Sequence, residues 1–440
     1  MAKVQIKSDK YTPFGGFFFV ANEFKRHIMP HIDEYLGIRC KMKGYQYSDI
    51  LLAMVGNFFC GGNRTEDINV LKSKMPQHPG FQICSPDTVL RAMTELADED
   101  EYYSTEDKTY RFNIASKLNG LLVYTAVKSG MLVPGHKYDF DFDHEFIESE
   151  TWEARPTYKG FTGYGPGCAV LTDIENGTEV LAGIENRDGN TPVKFRQEDT
   201  LSRILLNIKE QGMKIRCARV DCGSYTESVI NLLLEHSDTI FVRAAMYKGL
   251  RKKLQNKNRQ WRSTTVGEQQ IDVLTIPFDG FAGQINHCRL VVQRQMKKKG
   301  TQLELFEEDG DEKFMYRAIL TNNWDMSEEE VIDFYNQRGA KEKLFDQMDN
   351  DFGWHYLPKG LLKENTVFMI LTAIIRNFYT MLLRYTSLRA FGIYVTSRMK
   401  TFTNRVISVI AKWTRSARTN ILTIYAENTE SYTALYADYG

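Results

Sequence analysis

The spacing of apolar positions changes character twice along the chain. Up to about residue 130 they recur at helical intervals, as in YSDILLAMVGNFFCGG and in SPDTVLRAMTELADEDE, the latter behind a Ser85-Pro86 start signal. Around Lys137 the period drops to two. In KYDFDFDHEF, Tyr138, Phe140 and Phe142 alternate with Asp139, Asp141 and Asp143, which predicts a strand with one aromatic and one acidic face. CAVLTDIENGTEVLAGIEN reads as two strands around an Asn176-Gly177 hairpin turn. A helix follows from about Pro192 to Gln211. IRCARVD then gives a strand ending at Asp221, SYTESVINLLLEH a helix and TIFVRA another strand, a βαβ crossover.

Between Met246 and Lys313 the pattern is β-rich and locally basic, with LRKKLQNKNRQWR, IDVLTIPF and CRLVVQRQMKKKG, and it carries an acidic turn at FEEDGDE. This segment reads as an insertion, after which YRAILTNNW resumes the core pattern. Ser327 and Glu330 form a capping box and Met326 can staple against Val331, so a helix is predicted through Tyr335 and on to Phe345. At 3.6 residues per turn Tyr335, Arg338 and Glu342 share the sector of Val331, Phe334 and Phe345. An intrahelical Arg338–Glu342 pair would explain this at a few tenths of a kcal/mol. Gly339, within the same helix, suggests close approach of a backbone or a ligand. A mainly apolar helix, NTVFMILTAIIRNFYTMLLRY, leads into a basic stretch with Arg389, Arg398, Lys400, Arg405, Lys412, Arg415 and Arg418, expected to be helical. The expected division is 1–130, 131–245, 246–315, 316–386 and 387–440.

Composition narrows the possibilities. Lys+Arg and Asp+Glu both total 56, so no global field points to a polyanion and any nucleic-acid surface must be local. Seven cysteines without a CxxC pair fit a reducing cytoplasm. The longest apolar run, VFMILTAII, falls well short of the roughly 20 residues of a membrane span, so no membrane association is expected. HExxH, GxxxxGK[ST] and GxSxG are all absent.

The remaining chemistry lies in carboxylates. Asp141 and Asp143 on the first strand, Asp221 at the end of a later one and Glu342 on a helix occupy elements able to converge, because a right-handed crossover returns the chain beside its start. Clustered carboxylates raise one another's pKa unless a hard cation sits among them, and Mg²⁺ suits such oxygen ligands. Two ions about 4 Å apart can drive an in-line phosphoryl displacement. Bland alternatives exist: an acidic edge strand kept soluble by charge, and Asp221 as a helix cap. His144 and Glu145 point to opposite faces, so His144 is read as structural. Arg251, Lys252, Lys253, Lys257, Arg259 and Arg262, with Trp261 among them, suit a DNA-backbone patch with a stacking aromatic, or equally a solvated hairpin.

The combination of Tyr335, Arg338 and Glu342 as Y-x₂-R-x₃-E with DFDHEFIES, TYKGFTGYGPG, RVDCGSY and NDFGWHYLP before ENTVFMILTAIIRNFY resembles DDE-type transposases of bacterial insertion sequences. The N-terminal KYTPFGGFFF, GYQYSDILLAM and GGNRTEDI segments are also similar to that family. The resemblance implies an α/β fold: an RNase H-like mixed-sheet core interrupted by a β-rich insertion, with helical N- and C-terminal regions. It implies a homodimer that binds the element's terminal inverted repeats, cuts there and joins the 3′-hydroxyls to target DNA, using two Mg²⁺ per site with Mn²⁺ able to substitute. Asp221 and Glu342 would then be metal ligands together with Asp141 or Asp143, and Tyr335 and Arg338 would contact DNA phosphates. Asp349 stands where many relatives carry a lysine, a contact for which Lys341, Lys343 or Lys359 is available, and His144 and Glu145 also depart from the usual pattern. The competing outcomes are an inactive DNA-end-binding protein and a two-metal nuclease without strand transfer.

Overall fold

A computed structural model describes residues 4–5, 10–75, 79, 82–256, 258–281, 285, 287–296 and 314–437. Its centre is an eleven-stranded sheet. In chain order the strands are β1 (Glu101–Ser104), β2 (Thr109–Asn113), β3 (Lys137–His144), β4 (Gly167–Asp173), β5 (Glu179–Arg187), β6 (Lys214–Val220), β7 (Ser237–Ala244), β8 (Arg262–Val266), β9 (Gln269–Pro277), β10 (Arg289–Met296) and β11 (Phe314–Thr321). Their order across the sheet is β8-β9-β10-β11-β7-β6-β3-β4-β5-β2-β1.

The middle of this sheet is the expected RNase H-like core. β3, β4 and β5 form an antiparallel meander, and β6 and β7 lie parallel to β3 on its other side. The strand predicted from KYDFDFDHEF therefore lies in the interior of the sheet, which removes the edge-strand explanation of its acids. Asn176-Gly177 makes the predicted turn, with Gly177 at φ +69° and Asp173 Oδ1 accepting from the Glu175 and Asn176 amides. The aromatic side of β3 packs under the helices Gln197–Glu210 and Glu227–His236. On the opposite side Val331, Ile332 and Tyr335 cover Cys217, Phe241 and Ile319.

The strands β8–β10 of the β-rich segment extend the core sheet through β11, which pairs with both β10 and β7. Two expectations change. The N-terminal region is not purely helical, because β1 and β2 close the other edge of the sheet. The C-terminal region contains a hairpin, Ile410–Ser416 with Thr419–Tyr425, completed by Tyr11–Thr12. That hairpin turns on Ala417 and Arg418, both at positive φ, as a two-residue reversal matched to strand twist requires. FEEDGDE and the lysines of CRLVVQRQMKKKG lie outside the described residues.

The helix Leu362–Leu382 is long and apolar enough to cross a membrane by length and composition, but it is buried within the fold. Asn377 fixes it to β5, donating to the Leu181 carbonyl and accepting from the Leu181 amide, both at 2.9 Å. A buried side-chain amide satisfied in this way aligns helix and strand as well as holding them together.

Candidate active site

The acidic side of β3 is matched by arginines. Asp139 meets Arg216 through two contacts of 2.9 and 2.7 Å, Asp141 meets Arg219 through two of 2.8 Å, and Asp143 lies 2.8 Å from Arg338. Arg216 and Arg219 are three residues apart, and ordinary alternation would point them to opposite faces. An irregularity in the β6–β3 register between Ile215 and Cys217 lets both reach the acidic face.

The two aspartates left equivalent by alternation have different surroundings. Asp141 is 2% exposed and fully engaged by Arg219, with Lys341 Nζ 3.6 Å away. Arg219 also donates to the Phe334 carbonyl at 2.9 Å and lies 4.6 Å from the Phe334 ring centroid, joining the helix Glu328–Asn336 to the sheet. The Asp143 side chain retains 29% exposure at the open end of β3. Burial raises its pKa to about 6, with Arg338 opposing and Asp221 adding to the rise.

Asp221 comes next to Asp143 by register. Arg219 pairs with Asp141 and Val220 with Phe142, so one further step sets Asp221 opposite Asp143, about one strand spacing of 4.8 Å away. The capping explanation for Asp221 does not hold, since the following helix is capped by Thr226, whose hydroxyl accepts from the Val229 amide. Among the described residues the Asp221 carboxylate has no hydrogen bond or ion pair. Gly223 permits this tight exit: a Cβ there would meet Val193 Cγ1 at 2.5 Å and Asp221 Oδ1 at 3.0 Å. His144 is structural as expected, accepting at Nε2 from Arg187 and facing the Gly165 carbonyl with Nδ1, and burial holds its pKa well below the usual value.

Arg338 is charged but incompletely satisfied. Burial works against its charge, while Asp143 and Asp221 help to raise its pKa. Its Nη2 meets Asp143 out of hydrogen-bond alignment, and neither Nε nor Nη2 has a hydrogen-bond acceptor. A planar donor fork held in this state beside two carboxylates is suited to an incoming oxyanion.

The predicted single helix is interrupted. The α-helix Glu328–Asn336 gives way to a 3₁₀ segment at Gln337–Lys341 before a second α-helix, Glu342–Asp351. Each 3₁₀ residue turns about 20° further than an α-helical one, so the four steps from Arg338 to Glu342 shift the phase by about 80°. That shift explains why Glu342 is exposed and does not share the Arg338 sector. It also removes the Arg338–Glu342 pair, because Arg338 turns to Asp143. A Cβ placed on Gly339 would meet nothing within 4 Å, so no other part of the backbone approaches it closely.

Two predicted DNA contacts turn inward. Lys341 is 4% exposed, bonded to Thr172 Oγ1 at 2.8 Å and to Glu179. Tyr335 is 8% exposed and donates to the Val220 carbonyl at 3.3 Å, bracing the strand end before Asp221. Among the β8-side cations, Arg251 donates to the Met246 carbonyl, Lys253 pairs with Asp279 at 2.6 Å, and Arg262 with Glu328 at 2.8 Å. Trp261 is occupied by Arg294, 4.3 Å from its ring centroid, and by Tyr316. Lys252 and Arg259 remain exposed, and Lys257 lies outside the described residues.

No group of three His, Cys, Asp or Glu side chains among the described residues is arranged to hold a metal ion. The fit to a divalent cation is thus partial. Asp143 and Asp221 supply hard oxygen donors around a position now balanced by the Arg338 charge, while Glu342 stands on the adjacent helix with Glu145 within its field. Sequence reasoning missed Arg216 and Arg219, whose only signal was their occurrence in the strand predicted to neighbour the acidic one.

Comparison with known proteins bears on the whole chain. No curated protein matches it. A cryo-EM structure of a piggyBac transposase synaptic complex with hairpin DNA is similar at 14% identity and a TM-score of 0.41, over 89% of this chain and 79% of that one. The family described as transposase DDE domain group 1 matches residues 15–437. The chain belongs to that family and is a DDE-type DNA transposase, of a class that generally uses divalent metal ions.

Proposed function

We propose that the protein binds the terminal inverted repeats of its own insertion sequence, cleaves there and transfers the freed 3′-hydroxyl strands to target DNA. The observation that carries this reading is the pair Asp143 and Asp221 at neighbouring ends of parallel strands, beside the under-satisfied Arg338. Asp143 is favoured over Asp141 as the first acid because Asp141 is held by Arg219 and has no donor oxygen to spare.

In this reading Asp143, Asp221 and Glu342 would hold two Mg²⁺ ions, with Mn²⁺ able to replace them. When bound, those ions supply activation of the attacking oxygen and stabilisation of the leaving one. Arg338 exchanges its contact with Asp143 for a phosphate oxygen of the DNA, and its fork orients that phosphate. Tyr335 keeps the Val220 end of β6 in place so that Asp221 does not drift. Rewinding of Gln337–Lys341 into α-helix would reverse the phase shift and carry Glu342 toward the Arg338 sector. The homodimer expected from the resemblance would hold the two ends together.

The test uses a plasmid carrying the gene's native flanks, incubated with Mg²⁺ or Mn²⁺ and either the wild-type protein or Glu342→Gln. Metal-dependent cuts at the element boundaries and joined products, lost in a variant that still binds the flanks, are expected. Cuts without joined molecules would replace the transposition reading with a nuclease, and binding without cuts in either metal would replace it with a DNA-end-binding protein.

A further inference from the structure

The motif TYKGFTGYGPG is not absorbed by the metal and phosphate site. It forms a tight reversal between the short strands Arg155–Pro156 and Thr162–Tyr164. The Thr157 amide and hydroxyl both donate to the Phe161 carbonyl, at 2.7 and 2.8 Å, and the Gly160 amide donates back to the Thr157 carbonyl at 3.2 Å. Gly160 is at φ +91°, a conformation that side chains rarely adopt. The turn is therefore defined by its own hydrogen bonds, and it projects Tyr158 and Lys159.

Both side chains are tied to the residues that directly follow Asp143. The Tyr158 ring meets Phe146 edge-on at 4.9 Å between centroids, and Lys159 Nζ lies 5.2 Å from the same ring's centroid. Lys159 Nζ is also 4.0 Å from Glu145 Oε1, and its charge reaches Asp349. The Tyr158 phenol is raised by burial and then by the charges of Asp221, Asp143 and Glu145, so it lies within the field of the acid pair. Yet Tyr158 is 76% exposed. An aromatic ring left this open beside carboxylates does little for the core, and its neighbour is a cation paired with Glu145. That pairing is what a single-stranded nucleotide requires: a π-face for the base and a positive charge for the backbone.

We propose that the Thr157–Phe161 turn positions the DNA end, Tyr158 stacking on an unpaired base beside the scissile phosphate and Lys159 holding the adjoining phosphate. This rests on the reading of Asp143 and Asp221 as the active site. On binding, Lys159 moves from Glu145 to the backbone. Its charge, which reaches Asp349, also gives that region the cation that Asp349 itself lacks.

The test uses duplexes of the gene's native flank with 2-aminopurine at the terminal nucleotides, whose emission falls when the base stacks on a ring. With the wild-type chain and Tyr158→Phe the bound probe is quenched, and with Tyr158→Ala it brightens severalfold. For Lys159→Ala, the slope of log binding constant against log salt falls by about 1, and Lys159→Arg restores it. Unchanged emission in Tyr158→Ala, or an unchanged slope in Lys159→Ala, overturns the proposal. Both readouts need only binding, so they decide the point even if the wild-type chain fails to cut, a failure that would count against the active-site reading alone.

Discussion

Asp141 and Asp143 occupy equivalent places in an alternating strand, and only their partners separate them. Asp141→Asn leaves the Arg219 guanidinium buried beside a neutral amide, and breaking a buried pair in this way costs about 3–5 kcal/mol, so a large fall in thermal midpoint is expected. Asp143→Asn, at the open end of the strand and with Asp221 still near Arg338, should keep its midpoint to within a few degrees while losing DNA cleavage. Equal destabilisation by the two would contradict the assignment. Asp349 offers a second test. Burial, with Asp346 adding to it, raises its pKa to about 6, above the ordinary carboxylate value. The native state therefore binds this proton more tightly than the unfolded chain does, so stability from this group is present below about pH 4 and lost as pH rises through about 6. Asp349→Asn should raise the thermal midpoint at pH 7.5 and not at pH 4, and an equal change at both would show that the carboxylate is not strained. The sequence made the acids visible because their period is local. It hid the arginines because Arg216 and Arg219 reach them only across a strand irregularity that no periodicity encodes.

At the scale of elements, strands and caps followed the pattern, whereas the helix at Tyr335 did not. The Ser327–Glu330 capping box is present, and so is the strand ending before Asp221. The 3₁₀ segment at Gln337–Lys341 escaped because a phase of 3.6 was carried through Gly339, a residue with little helical preference. Gly339→Ala meets no atom within 4 Å, so it should gain about 0.4–1 kcal/mol in chemical denaturation. If the segment rewinds during catalysis, this variant should also cleave at least as fast as wild type; slower cleavage with unimpaired stability would show that the 3₁₀ form is the working one. The C-terminal hairpin was missed for a different reason. Its reversal uses Ala417 and Arg418, not the Asn-Gly pair that announces such turns. Replacing them by Asn and Gly should raise stability by about 1 kcal/mol, since a non-glycine residue is held at positive φ in each position. A loss would show that these side chains make contacts outweighing the backbone cost.

For the whole molecule, the order of elements marked out the RNase H-like centre, and one eleven-stranded sheet runs through segments from four of the five expected divisions. β11 pairs with β10 over eight residue positions from Phe314 to Thr321, and the other edge is closed by a hairpin from the N-terminal region. Long-range pairing of this kind leaves little trace in one sequence, because each strand looks the same whichever partner it takes. The consequence for function is that Asp143, Asp221 and Arg338 sit in the middle of one continuous framework, with Glu342 directly after the 3₁₀ segment. The most direct test of that arrangement is Mn²⁺ uptake by the full chain bound to its flank duplex, followed by electron paramagnetic resonance in wild type, Asp143→Asn, Asp221→Asn and Glu342→Gln. Uptake by the wild type, and loss of bound Mn²⁺ in all three variants with DNA binding retained, is the expected result. Undiminished Mn²⁺ binding in Asp143→Asn and Asp221→Asn would place the metal elsewhere and contradict the account.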